Sequence, residues 1–151
     1  MPSILGAPSK GRDAARIETV NKTGDFLMLK HAEGEILPTG VQFFGGEGIY
    51  GNGALPDFLD DNISAFGGVM PADPVPEWCV YTQSTDYCYD ADKIASPYRF
   101  GSFRYDKLSG TYLFAITAHV ENEENGNNSV YNGSSTVLTE SGPYYVYFGT
   151  R

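Results

Sequence analysis

MPSILGAPSKGRDAARIETVNKTGDFLMLKHAEGE, residues 1 to 35, is the stretch whose reading decides the fold. Read for periodicity, it divides into parts. Residues 1–16 are rich in Gly, Pro, Ser and Ala and show neither a 3.6-residue nor a 2-residue apolar repeat, so they read as an extended arm or linker. DAARIETV (13–20) fits either a single helical turn or the start of a strand. FLMLKHA (26–32), bounded by Gly24 and Gly34, reads as a strand.

Working outward, the chain continues in short β-like runs. EILPTGVQFF (35–44) has Pro38 in its first half, which leaves VQFF as a short strand. ALPDFLDDNISAFGG (54–68) carries the clearest helical pattern: Leu59, Ile63 and Phe66 fall at i, i+4 and i+7. Pro56 stands near its start and Gly67 just past its end. The spacing predicts one short helix over about 56–66. MPADPVPEW (70–78) is a proline-rich connector, and WCVYTQSTDYCY (78–89) is rich in β-formers. YRFGSFRY (98–105) and TYLFAITAHV (111–120) flank DKLSG and read as a β-hairpin. ENEENGNNSVYNGSS (121–135) is a polar loop, and TVLTESGPYYVYFGT (136–150) supplies one or two closing strands. The expectation is an all-β chain: a single β-sandwich, jelly-roll or barrel-like domain over 17–151, one short helix, and an extended N-terminal arm over 1–16.

Composition bounds the function. The 151 residues make one domain with a sizeable core. The net charge is −9. Residues 1–30 hold five cations (Lys10, Arg12, Arg16, Lys22, Lys30) against three carboxylates (Asp13, Glu18, Asp25), a net +2, which leaves −11 for the other 121. An acidic body argues against nucleic acid, because phosphate contacts need clustered Lys and Arg. No apolar run reaches a membrane-spanning length of about 18 residues. The opening residues have no charged segment followed by an apolar one, so they do not read as a signal peptide.

Signatures of catalysis are sparse. FFGGEGIYGNG (43–53) has Gly46, Gly48 and Gly51 in the G-x-G-x-x-G spacing of a phosphate-binding loop. That fingerprint needs a strand before it and a helix opening at its third glycine. Here Asn52, Gly53, Ala54, Leu55 and Pro56 follow instead, so the glycines read as turns and bulges. His31 and His119 each lie in a strand-like run with no local catalytic motif. The carboxylate clusters, Asp57, Asp60 and Asp61, and Asp86, Asp90 and Asp92, match no twelve-residue calcium loop. No enzyme activity, cofactor or metal is expected.

Three sets of candidate residues remain. A hairpin centred on Gln83 and Ser84 sets Cys79 opposite Cys88 at a non-hydrogen-bonded pair, with Cα atoms about 4.5 Å apart. A cross-strand disulfide and two buried thiols both fit that register. In the arm, Ile4 and Leu5 offer apolar anchors, and Lys10, Arg12 and Arg16 offer cations for an acidic neighbour. Trp78, Tyr81, Tyr87 and Tyr89, interleaved with Asp86 and Asp90, have the makings of a sugar-binding face, though a sheet core uses the same rings. Asn-x-Ser/Thr sequons occur at Asn21, Asn62, Asn127 and Asn132, and they matter only on a eukaryotic secretory route. Two functions follow from these sets. One is a non-enzymatic structural subunit of a larger assembly, such as a virion decoration or minor capsid protein, tethered by its arm to other protein subunits in a homo-oligomer. The alternative is a carbohydrate-binding module or lectin. Either places the chain on a virion or an extracellular surface.

Overall fold

The computed structural model describes residues 9–44, 54–69, 71–74, 103–127 and 144–150. Its first element overturns the all-β reading. Helix α1 runs unbroken over Ser9–Ala32, 24 residues. Residues 9–16 are therefore helical rather than an extended arm, and 26–32 are the last turns of a helix rather than a strand. The chain is a mixed α/β protein, not a β-sandwich, jelly-roll or barrel. The expected boundary between residues 16 and 17 lies inside α1.

The reason is visible along the inward stripe of α1. Asp13, Arg16, Val20, Thr23, Gly24 and Leu27 recur at helical spacing, and all are buried. Val20 and Leu27 are its large apolar members, with Phe26 buried beside them, and none of these lies in the first three turns, so the stripe carries little hydrophobic signal. Leu27, Met28, Leu29, Lys30 and Ala32 are themselves good helix formers. Lys30 and His31 occupy the last turn, where cations meet the negative end of the helix dipole. Gly34, at φ 88°, ends the helix in the left-handed conformation. The Glu35 N–H then returns to the Lys30 carbonyl at 3.0 Å.

Strands β1 (Val41–Phe44), β2 (Phe103–Lys107), β3 (Tyr112–His119) and β4 (Tyr144–Thr150) form an antiparallel sheet in the order β1-β2-β3-β4. Between β1 and β2 lie helix α2 (Ala54–Asp61) and a 3₁₀ turn over Ile63–Phe66. The helix expected over 56–66 is thus interrupted at Asn62, whose Nδ2 donates to the Phe58 carbonyl at 2.8 Å.

One face of the sheet carries Phe44, Phe103, Tyr105, Phe114, Ile116 and Ala118, which are cross-strand or diagonal neighbours. These pack with Val20, Phe26 and Leu27 of α1 and with Leu55 and Leu59 of α2 in one core. Phe26 joins the helices edge-on, 5.9 Å from the Phe58 ring and 5.0 Å from Phe66. The other face of the sheet is buried too: Arg104, Asp106, Ala115, Thr117 and Val146 are all at most 7% exposed.

Helix α1 lies along β4 and runs in the same direction. The Tyr145 hydroxyl donates to Asn21 Oδ1 at 2.9 Å, and the Tyr147 hydroxyl donates to Asp25 Oδ1 at 2.8 Å. Gly24 sits directly against the Tyr147 ring, where a β-carbon would fall 2.5 Å from Cδ1. Helix and strand approach this closely because residue 24 has no side chain.

Candidate functional site

The N-terminal turns of α1 hold the densest polar arrangement among the described residues. Arg16 is fully buried. Its Nε and Nη2 form a fork on Asp73, at 2.7 and 3.1 Å. Its Nη1 reaches Asp13 at 3.0 Å and Glu121 at 2.6 Å. Arg12, one turn earlier, grips both oxygens of Glu121, at 2.7 Å from Nε and 2.6 Å from Nη2. Asp13 in turn binds the loop after β3. It accepts from the backbone N–H of Glu121 and of Asn122, and from the side-chain amides of Asn122 and Asn125.

The protonation states follow from these contacts. Burial pulls the Arg16 guanidinium down, but its bonds to Asp73, Glu121 and Asp13 outweigh that and raise it. Burial pushes Asp13 up, and the donors from Glu121, Asn125 and Asn122 more than reverse it, leaving its carboxyl below the usual range. The hydrogen bond from Arg12 is the main reason Glu121 is also lowered, against burial and with help from Arg16. Arg16, Asp13 and Glu121 are therefore charged at neutral pH. With two guanidiniums set among three carboxylates, the cluster is a latch that ties α1 to the 121–125 loop and to residue 73. Its carboxylates accept from donors within the chain.

A second buried pair lies on the opposite sheet face. Arg104 and Asp106, two apart on β2, share that face, with Arg104 Nε and Nη2 2.9–3.1 Å from the Asp106 carboxylate. Burial raises the Asp106 carboxyl, with Arg104 opposing. Tyr147, on the α1 side, is raised to about 12 by burial and then by its bond to Asp25.

The surface that α1 leaves open is of another kind. Two clefts adjoin along its outward side and share Glu18 and Lys22. One, of about 290 Å³, is lined by Ala15, Thr19, Phe66, Val69 and Pro71 as well. The other, of about 790 Å³, is lined by Ala14, Ile17, Asn21 and Asp25 as well. Val69 is 71% exposed on its rim, and Lys22 Nζ stands 5.7 Å over the Phe66 ring. The lining alternates small apolar groups with charges of both signs, and the walls are shallow. Such a surface suits a partner's side chains better than a small molecule, which needs enclosure.

The residues singled out from sequence are distributed as follows. Lys10, Arg12 and Arg16 lie on α1. Lys10 is exposed, whereas Arg12 and Arg16 are committed to the latch. Ile4, Leu5, Trp78, Cys79, Tyr81, Asp86, Tyr87, Cys88, Tyr89, Asp90 and the glycine motif at 46–51 lie outside the described residues. His31 is exposed, and His119 stacks on Tyr144 at 5.2 Å between centroids. No group of His, Cys, Asp and Glu with metal-holding geometry occurs among the described residues. Among them, no helix is long and apolar enough to cross a membrane.

Sequence reading missed Asp13, Asp73 and Glu121 as partners of the arginines. The Asp13–Arg16 pair was within reach, since i,i+3 opposite charges meet on a helix. Asp73 and Glu121 are 57 and 105 residues from Arg16, and no local pattern points to them. Comparison with known protein families, curated proteins and solved structures finds no match.

Proposed function

We propose that this chain is a non-enzymatic structural subunit that works by binding other protein subunits, with the outward side of α1 as its docking surface. The observation that carries the reading is the pair of adjoining clefts along that helix, with the exposed Val69 at the rim. The latch supports it: a helix fixed at its buried side by ion pairs presents its outer side as a rigid surface, so little ordering cost falls on binding. In its narrower form the reading is a virion decoration or minor capsid-type subunit, as the acidic body and absent catalytic motifs first indicated. The tether is then the face of a helix rather than the cations of an arm, because Arg12 and Arg16 are used within the chain.

Light scattering on the purified chain at rising concentration, alone and with Val69→Asp, tests this. The unsubstituted chain is expected to exceed monomer mass, and V69D to return it toward the monomer. Because Val69 is exposed, V69D should keep its melting temperature within the range of an ordinary surface change, about 0.5 kcal/mol. A chain that stays monomeric and binds an immobilised glycan would instead favour the carbohydrate-binding reading.

A further inference from the structure

The loop that the latch grips after β3 carries an Asn-Gly step, Asn125–Gly126, at the end of a 3₁₀ turn over Glu123–Asn125. Asparagine before glycine is especially prone to lose its side-chain amide, because glycine has no β-carbon to shield its backbone nitrogen. That nitrogen attacks the asparagine Cγ. The new C–N bond closes a succinimide ring and the Cγ–Nδ2 bond breaks. Nδ2 leaves as ammonia, taking up a proton from solvent in place of the one the glycine nitrogen lost. Water then opens the ring at either carbonyl, leaving Asp or isoAsp. In the folded chain both reacting groups are engaged. Asn125 Nδ2 donates to Asp13 Oδ2 at 2.8 Å, and the Gly126 N–H donates to the Glu123 carbonyl at 3.1 Å. Asn125 and Gly126 are half-buried, while Glu123 and Glu124 beside them are exposed, so water reaches the turn. Gly126 lies at φ −76°, a conformation open to any residue, so the backbone does not call for glycine there.

We propose that Asn125 is a deamidation site guarded by the latch, and that its conversion to Asp or isoAsp irreversibly loosens the hold of Asp13 on the loop. Attack needs the Gly126 nitrogen freed of its proton and the Asn125 carboxamide turned onto it, and each of these gives up one of the two bonds above. The latch therefore slows the step for as long as it stays closed. Conversion reverses the sign of the contact. Asp13 Oδ2 accepts from a neutral amide before it; afterwards a carboxylate with no donor stands in the same place, and two like charges face each other in a half-buried site. IsoAsp also lengthens the main chain by one methylene, which shifts the turn relative to the Glu121 and Asn122 N–H groups that Asp13 accepts. The step consumes only water and releases ammonia. No group in the latch can restore the amide, so the release of α1 from the loop runs one way. It does not rest on the α1 clefts.

The test holds the whole chain in mildly alkaline buffer, digests it, and reads mass and isoAsp content at Asn125 apart from the other Asn-Gly steps at 52–53 and 132–133. Asn125 in the folded chain should convert about tenfold or more slowly than in the same chain unfolded in urea. Equal rates overturn the guard. Asp13→Ala should bring the folded rate toward the unfolded one, and an unchanged rate in folded D13A removes Asp13 from the role. Should D13A fail to fold, Asn125→Asp and Asn125→Ala carry the test, since both lose the donor to Asp13 but only the first adds a charge. N125D should melt below N125A near neutral pH, and the gap should narrow in acid as the carboxylates take up protons. An N125D chain as stable as N125A overturns the release. The Glu121 amide, which Asp13 accepts, should exchange hydrogen about tenfold faster in N125D than in the unsubstituted chain. A Glu121 amide equally protected in both would mean that the latch stays closed after conversion, and the proposal fails.

Discussion

Arg16 is the residue on which the most depends. It is the buried cation among three carboxylates, and its removal would take the guanidinium away from the buried Asp13 and Asp73 carboxylates. Truncating one member of a buried ion pair costs about 3–5 kcal/mol, far more than the pair's net contribution, because the remaining charge stays desolvated. Arg16→Ala is therefore expected to lower stability by about that much in denaturant titration. Arg16→Lys should recover only part of it, since an ammonium cannot reproduce the fork on Asp73. Gly24 makes the opposite kind of prediction. In an exposed helix interior, Gly→Ala gains about 0.5–1 kcal/mol. Here the added methyl meets Tyr147, whose ring is held by its bond to Asp25 and by stacking on Phe114 at 6.0 Å. Gly24→Ala is expected to destabilise, and Tyr147→Ala in the same chain to relieve the clash. A stabilised G24A would show that helix and strand are not in this contact.

At the scale of elements, the latch makes the docking of α1 dependent on acid. Asp13 and Glu121 have folded pKa values below their ordinary 3.8 and 4.5. Their contribution is therefore complete above those values and is lost as pH falls through the folded ones. Asp106 opposes them. Its folded pKa is raised above 3.8, so it favours the folded chain below that value and this benefit fades as pH rises through the folded one. With two lowered groups against one raised, melting temperature should fall as pH drops below about 4.5. Glu121→Gln should flatten the slope while lowering stability at pH 7, and equal slopes in the two proteins would remove Glu121 from the latch. Helix α2 needs no such device. Its Leu55 and Leu59 are fully buried against the sheet, and its signal was legible because the residues facing the core are apolar.

For the whole molecule, the proposed docking surface and an arm of free cations differ in how salt acts on them. Association driven by Lys and Arg on an acidic neighbour weakens as salt screens it, over a Debye length of about 8 Å at 0.15 M. The α1 clefts mix Glu18, Asp25 and Lys22 with Ala14, Ala15, Ile17, Phe66, Val69 and Pro71. Raising sodium chloride from about 0.1 to 0.5 M should therefore leave the associated mass nearly unchanged, as measured by light scattering. A steep loss of mass with salt would return the weight to charged contacts.

By itself the sequence determined whatever neighbours along the chain can decide. The β2–β3 pairing follows from two β-rich runs and a short polar connection, and the strands at 41–44 and 144–150 follow from local composition. The acidic charge and the lack of catalytic motifs were equally local. Tertiary structure alone decided the fate of residues 9–32. Their buried stripe holds Asp13, Arg16, Thr23 and Gly24, which a sequence reading assigns to solvent or to a turn. Burying them becomes favourable only when Asp73 and Glu121 arrive from 57 and 105 residues away to neutralise Arg16. The ring of Tyr147 must also fill the space that glycine leaves. A helix that buries Asp13 and Arg16 in its first turns and sets Val20, Phe26 and Leu27 into the core only further along has a weak hydrophobic period, so its N-terminal half is fixed by partners that the helix itself does not encode.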